Sequence, residues 1–535
     1  MATLIDLLPE LGGWESYVLL GGVGIALFVV IYQAVFAIRY PSNLPLVSEP
    51  AGKKSFSWKT RWRFVKDCEN LYMEAYENYS KKGKTVLIPG LGARDEIILP
   101  QSAMKWVLSQ PESALSHVES TLELNQAIYS LGHGKYSADG WQGDLVKTKL
   151  NASLENICSA LDDELGTAFM ANFGTDTENW KEIDLLATIR MVVGQAASRF
   201  TVGLPMCRDP VYLKESFHVV DRLVVTAGVT GGSPRLLRPL VGRLSSIGID
   251  GIIGKIKKTF EKTYKERLEM IENPHYNGPE PEDHLQMMLR FAQKERPHEL
   301  HDFDVITKRV IVANFASMHQ TSIQVTNFLL NILDSDKEFN TIAVLRDEVT
   351  RIMGNDPKWT KQKVQSMVRA DSAARETMRL HSFGNRSVLR KVMKDGLTTE
   401  DGIALPKGSM VSFLAFPLQV EKDQFEDPRK YDPFRYSRVR EAAADPDTGR
   451  PGASHLSFVS TSPDHLPFSH GRHACPGRFL IDFELKMIVA YVLMNYDIEF
   501  PAEYDGKRPQ NFWLAEANMP PAGVKLRLKR RPGTV

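Results

Sequence analysis

Residues 468–479 read FSHGRHACPGRF, and this stretch holds the chain's densest set of residues able to do chemistry. Phe468, Gly471, Cys475 and Gly477 fit the spacing F-x-x-G-x-x-x-C-x-G, and a long amphipathic run starts directly after it. A cysteine so placed can serve as the axial ligand of an iron centre, because a thiolate pushes electron density onto the metal. It must be deprotonated, kept dry and hydrogen-bonded by backbone N–H groups. The start of the following helix offers free N–H donors and positive potential. Gly471 and Gly477 allow the backbone to turn sharply and approach the sulfur. Phe468 can cover it from water, and Arg472 and His473 can reach the carboxylates of a haem.

A cysteine loop of this kind needs a helical body. The chain has 535 residues with ordinary apolar and charged fractions, which excludes disordered and low-complexity classes. Sixty-six Lys and Arg against 65 Asp and Glu leave a net charge of +1, so no basic excess exists to bind nucleic acid by neutralising phosphates. The other three cysteines, Cys68, Cys158 and Cys207, are scattered, which rules out a disulfide scaffold and a Cys-x-x-Cys zinc site.

Residues 17–38 carry no formal charge and span roughly 33 Å as a helix, enough to cross a bilayer core. The acidic start and the basic residues that follow (Arg39, Lys53, Lys54, Lys59, Arg61 and Arg63) orient the large remainder to the cytosol. The expected order is a short lumenal N-terminus (1–16), a transmembrane anchor (17–38), a proline-rich linker (39–54) and a catalytic domain (55–535). In the body, short strands are expected at 85–89, 96–100, 387–393 and 403–406. Helical periodicity covers 101–109, 154–173, 180–201, 255–272, 342–353, 361–380 and 478–494. Residues 228–239 form a Gly/Pro-rich break that could touch the membrane. The longest helix is expected at 302–335, a stretch without Gly or Pro of about 50 Å. Polar His319, Gln320, Thr321 and Ser322 interrupt its apolar middle.

The cysteine loop resembles that of the cytochrome P-450 superfamily, and the resemblance extends over about residues 40–530. It implies a mainly α fold with small β-sheets, preceded here by the one transmembrane helix, and haem b with Cys475 as its metal ligand. Glu376-Thr-Met-Arg379 matches the family's E-x-x-R, and i,i+3 spacing puts both side chains on one helix face. Residues 431–436, YDPFRY, resemble the loop whose arginine joins that pair. The resemblance makes Glu376, Arg379 and Arg435 a buried structural ion cluster. On the long helix the family's acid–alcohol pair aligns with His319 and Gln320. His319 titrates near neutrality and could relay protons, Gln320 can orient a water, and Thr321 lies about 100° round the helix. The catalytic candidates are therefore His319, Gln320 and Thr321. Either these groups and ordered water deliver protons, or the chemistry is a haem-dependent isomerisation or lyase step without a reductase. Lys147 and Arg390 are the remaining candidates to meet haem carboxylates.

The wording HACPGRF, with His in place of the usual Arg, resembles fungal microsomal members, which implies an endoplasmic-reticulum monooxygenase of secondary metabolism. Its substrate would be a bulky lipophilic terpenoid, meroterpenoid or indole alkaloid. Its partner would be an NADPH–cytochrome P-450 reductase docking near Arg472, Arg478 and Lys486.

Overall fold

The computed structural model describes residues 38–92, 94–446 and 451–533, together with Gly24. The expected anchor at 17–38 and the segment before it thus lie almost wholly outside the described residues. Among the described residues no helix is long and apolar enough to cross a membrane.

The principal helices are α1 (Trp58–Lys66), α2 (Cys68–Asn78), α3 (His117–Asn125), α4 (Trp141–Thr148), α5 (Leu154–Asn172), α6 (Leu185–Thr201), α7 (Pro210–Gly232), α8 (Arg238–Ser245), α9 (Ile249–Glu272), α10 (His284–Glu295), α11 (Phe303–Phe339), α12 (Thr341–Met353), α13 (Val368–His381) and α14 (Arg478–Asn495). α11 runs for 37 residues through the middle of the body, packed on α6, α7, α13 and α14. Its N-cap is Asp302, whose side chain accepts from the Val305 N–H, and Asn340 ends it in the left-handed region. Nearly every side chain from Thr321 to Ile332 is buried, as a helix crossing a core requires.

The strands β1 (Val86–Pro89), β2 (Asp95–Ile98), β3 (Leu115–Ser116), β5 (Arg386–Val392) and β8 (Met410–Leu414) form one sheet in the order β1-β2-β8-β5-β3. A second sheet has the order β4 (Lys181–Asp184), β12 (Lys525–Arg530), β9 (Tyr496–Glu499). Small hairpins are β6 (Leu397–Thr398) with β7 (Ala404–Leu405), and β10 (Phe512–Leu514) with β11 (Ala517–Met519). β5 carries an extra residue against β8 between Ser387 and Arg390, with Val388 at φ 53°. Such a bulge re-aims the side chains beyond it, here Arg390.

Three local expectations need correction. Residues 181–184 form an edge strand, because Asp184 caps the helix and stops it from starting earlier. The helix expected at 361–380 is split into Lys361–Gln365 and α13. Gly228, Gly231 and Gly232 lie inside α7, so the break is confined to the Ser233–Pro234 stretch. Gly92 (φ +66°) touches the end of that helix so closely that a Cβ there would sit 1.6 Å from the Gly232 carbonyl oxygen. The sheet and the end of α7 are thereby joined backbone to backbone.

Candidate functional site

Cys475 sits in a tight loop just before α14. Its N–H donates to the Phe468 carbonyl at 2.9 Å, and the Ala474 N–H donates to the Gly471 carbonyl at 3.0 Å. Gly471 takes φ +78°, and a Cβ there would come within 2.8 Å of Leu108, so only glycine fits. Phe468 is buried against Phe458, ring centres 5.2 Å apart and edge to face. Arg478 ties the loop down through the Cys475 carbonyl (2.8 Å) and the Val459 carbonyl (3.1 Å). Asn151, which sequence reasoning did not single out, donates to the Pro476 carbonyl at 3.1 Å.

The thiol has an open face, yet burial pushes its pKa up, while the Gly477 and Arg478 N–H groups draw it back. The sulfur therefore looks into an opening enclosed by protein rather than out to bulk water. Both features suit a thiolate metal ligand: the N–H groups stabilise the anion, and a bound cation displaces the proton that burial retains.

Beside the loop lies a cationic group. Arg390 is 3% exposed, and its Nη1 donates only to the adjacent Leu389 carbonyl at 2.7 Å. Burial holds its pKa down at about 10, with Glu112 opposing and Arg472 adding to the shift. His473 stacks on His117 with ring centres 4.5 Å apart, receives the Arg472 Nε–H at 3.0 Å and lies 3.1 Å from Glu112. Burial, His117 and Arg390 depress the His473 pKa to about 4. Arg472 (3.6 Å) and His473 thus meet Glu112, whose other oxygen accepts from the Ser116 hydroxyl and the His117 backbone N–H, while Arg390 has no ion pair among the described residues. A buried arginine without an ion pair calls for an anion. The donor set accordingly fits the carboxylates of a haem, with Cys475 as the sulfur ligand. Glu112 and His117 were missed in the sequence because neither belongs to a motif; Ser116, the last residue of β3 and the N-cap of α3, is the one local signal.

Lys147 is not part of this group. It is exposed on α4, and its side chain makes no hydrogen bond or ion pair among the described residues. Trp141 on the same helix is drawn elsewhere: its Nε1 donates to Glu299 at 3.3 Å and its ring lies 4.5 Å from the Arg309 guanidinium.

On α11, Ala316 and Gln320 are exposed although the helix is otherwise enclosed there, so they border an internal opening. His319 is half-buried, edge-on to Phe383 at 5.6 Å, and burial lowers its pKa. Thr321 is 2% exposed and faces the packed core, as its angular offset from Gln320 requires. Near Val312 and Phe315 a small cleft is lined by apolar Ala127, Leu131, Leu223 and Ala227 together with polar Asn125, Ser130 and Ser137.

Glu376 and Arg379 form a two-pronged pair on α13, and Arg435 Nε reaches Glu376 at 3.1 Å. Arg379 also donates to the carbonyls of Gln419 and Pro428, each at 2.5 Å. The structure thus brings the three expected residues together and uses Arg379 to gather the irregular segment after β8.

Lys486 is the clearest departure. It is 2% exposed and pairs with Asp371 (2.8 Å) and Asp482 (2.7 Å), and these carboxylates raise its pKa against the effect of burial. It offers no charge to a docking partner.

A family model described as Cytochrome P450 matches residues 200–528. The chain is 57% identical over 524 residues to the cytochrome P450 monooxygenase pbrC of Penicillium brasilianum, covering 97% of each. It is 55% identical over 525 residues to astC of Aspergillus terreus, also a cytochrome P450 monooxygenase, covering 97% of this chain and 98% of that one. It is 45% identical over 536 residues to the cytochrome P450 monooxygenase tenB of Beauveria bassiana, covering 98% of each.

Proposed function

The chain belongs to the cytochrome P450 family of monooxygenases, and from that premise we propose that it oxidises a bulky hydrophobic small molecule in secondary-metabolite biosynthesis. The substrate is of terpenoid, meroterpenoid or indole-alkaloid type. The co-substrates are O2 and electrons from an NADPH-dependent reductase. The body is anchored in the endoplasmic-reticulum membrane by residues 17–38 and faces the cytosol. The observation that carries the haem-thiolate assignment is the Cys475 sulfur, open on one side and met by the N–H groups of Gly477 and Arg478.

Haem held on Cys475 supplies the activation of oxygen and the oxidation of the substrate. The residues of the chain do the rest. Arg390, Arg472, His473 and His117 would hold the cofactor's carboxylates. Phe468 keeps water from the sulfur. Val312, Phe315 and Ala316 line the substrate side with apolar surface, which favours transfer from lipid. His319, kept neutral by burial, can pass a proton at its ring nitrogens, and the Gln320 amide orients a water beside it. Membrane association is supported by the apolar stretch itself and by exposed Trp58, Leu240, Leu244 and Ile247 on the body.

The deciding experiment is the reduced, carbon-monoxide difference spectrum of membranes expressing wild type and Cys475→Ala. A strongly red-shifted Soret band lost in the variant establishes the ligand. Its absence from well-expressed, haem-loaded wild type overturns the assignment. Because Gln320 stands where an alcohol is usual, turnover of a lipophilic panel is measured with and without reductase. Product formed without it would favour the isomerase or lyase alternative.

A further inference from the structure

Gln320, Gln324, Asn327, Asn331 and Asp334 fall within about 80° of one another round α11, so the helix carries one polar face through an apolar core. Both ends of the row are open: Gln320 borders the internal opening and Asp334 is exposed at the outer surface. Between them Gln324 is 3%, Asn327 0% and Asn331 1% exposed.

Two of these three buried amides are only partly satisfied, whereas Asn331 is bonded at both ends, its Nδ2 donating to the Thr377 hydroxyl at 3.1 Å. Gln324 Nε2 donates to the His381 carbonyl at 2.9 Å, and Asn327 Oδ1 accepts from Arg508 Nη2 at 3.2 Å. That leaves Gln324 Oε1 as an acceptor and Asn327 Nδ2 as a donor, both buried and both without a protein partner. They are i,i+3 neighbours of complementary sense. A water between them donates to one and accepts from the other, and a polar niche of this kind is where buried water belongs.

Arg508 lines the outer half. Its side chain donates to Asn331, Asn327 and Asn511 (2.6 Å), and its backbone N–H donates to Asp334 at 2.8 Å. The guanidinium is buried among amide oxygens, and burial lowers its pKa to about 10 while Asp334 and Tyr431 act against that shift. It therefore remains a cation.

We infer that this amide face, with Arg508 at its outer end, is a water route between the surface at Asp334 and the opening beside Gln320. Amides pass neutral water by exchanging hydrogen bonds, whereas a fixed buried cation opposes the passage of a proton. The route lets water leave when an apolar molecule fills the opening, without short-circuiting proton supply. It rests on the proposed function only in taking that opening as the substrate site.

Two measurements test it on the haem-loaded full chain. A high-resolution crystal structure is expected to show an ordered water bonded to Gln324 Oε1 and Asn327 Nδ2. In stopped flow, the apolar ligand 4-phenylimidazole is expected to shift the Soret band roughly three- to tenfold more slowly in Asn327→Leu and in Gln324→Met, with an unchanged end point. A direct, dry Gln324–Asn327 contact overturns the inference, and so do wild-type rates in both variants. If the carbon-monoxide spectrum instead fails in the wild type, the proposed function falls, and the diffraction result still decides the water site.

Discussion

Nε and Nη2 of Arg379 each lie 2.7 Å from a different oxygen of Glu376, and neither side chain has any exposed surface. Removing Arg379 leaves the buried Glu376 with only the longer contact to Arg435 among its ion pairs, and losing a partner of a buried pair costs about 3–5 kcal/mol. Arg379→Ala should therefore give little haem-loaded protein. Arg379→Lys should recover only part of it, because an ammonium cannot bridge both oxygens and the Gln419 and Pro428 carbonyls at once. The carbon-monoxide difference spectrum, normalised to total protein, measures both.

Lys486 predicts a loss of a different kind. Lys486→Met should destabilise the fold by about 3 kcal/mol or more, because Asp371 and Asp482 are left close together in the core, with Arg440 pairing with Asp371 and no ion pair to Asp482 among the described residues. The salt dependence of reductase binding should not change, since no surface charge is removed. Thermal unfolding and a salt titration of NADPH-driven reduction separate the two effects.

His284 is fully enclosed, its Nε2 lies 2.8 Å from the Gln142 carbonyl, and burial lowers its pKa to about 4. Its unfolded-state pKa is about 6.5, so the unfolded chain takes up this proton first. The stability held above pH ~6.5 is lost as the pH falls towards 4, by up to ~3 kcal/mol. His284→Gln should flatten denaturation midpoints across that window, whatever its effect at neutral pH.

His319 and Gln320 should act on coupling rather than on assembly. His319→Phe and Gln320→Ala are expected to keep the haem spectrum. Each should raise hydrogen peroxide released per NADPH oxidised by roughly tenfold, less than the ~10²–10⁴-fold of a lone general acid–base group because ordered water and the other side chain replace it in part. An unchanged peroxide yield in both would place proton handling elsewhere.

The sequence makes some of this architecture legible and hides the rest for physical reasons. Cys475 and the Glu376–Arg379 pair are readable because their chemistry is compressed into short fixed spacings. α11 is readable because 302–335 lacks any breaker. Lys486 is not, since a lysine on an amphipathic run looks like a solvated face until Asp371, far away in sequence, meets it in the core. Lys147 and Trp141 illustrate the same limit: Trp141 is claimed by Glu299 and Arg309, partners that no local pattern announces. Arg508 and the α11 amides meet only through tertiary packing.

The length of α11 and its distance in sequence from Cys475 also set an order of events at the ribosome. Gln320 and the cysteine loop are built from segments roughly 150 residues apart, which at ~5–20 residues per second separates their synthesis by about 10–30 s. Through that interval the chain lacks the cysteine that would hold haem. Haem capture is therefore a late step of biogenesis, and a shortage of haem should leave a nearly finished chain waiting for chaperones rather than a half-made one.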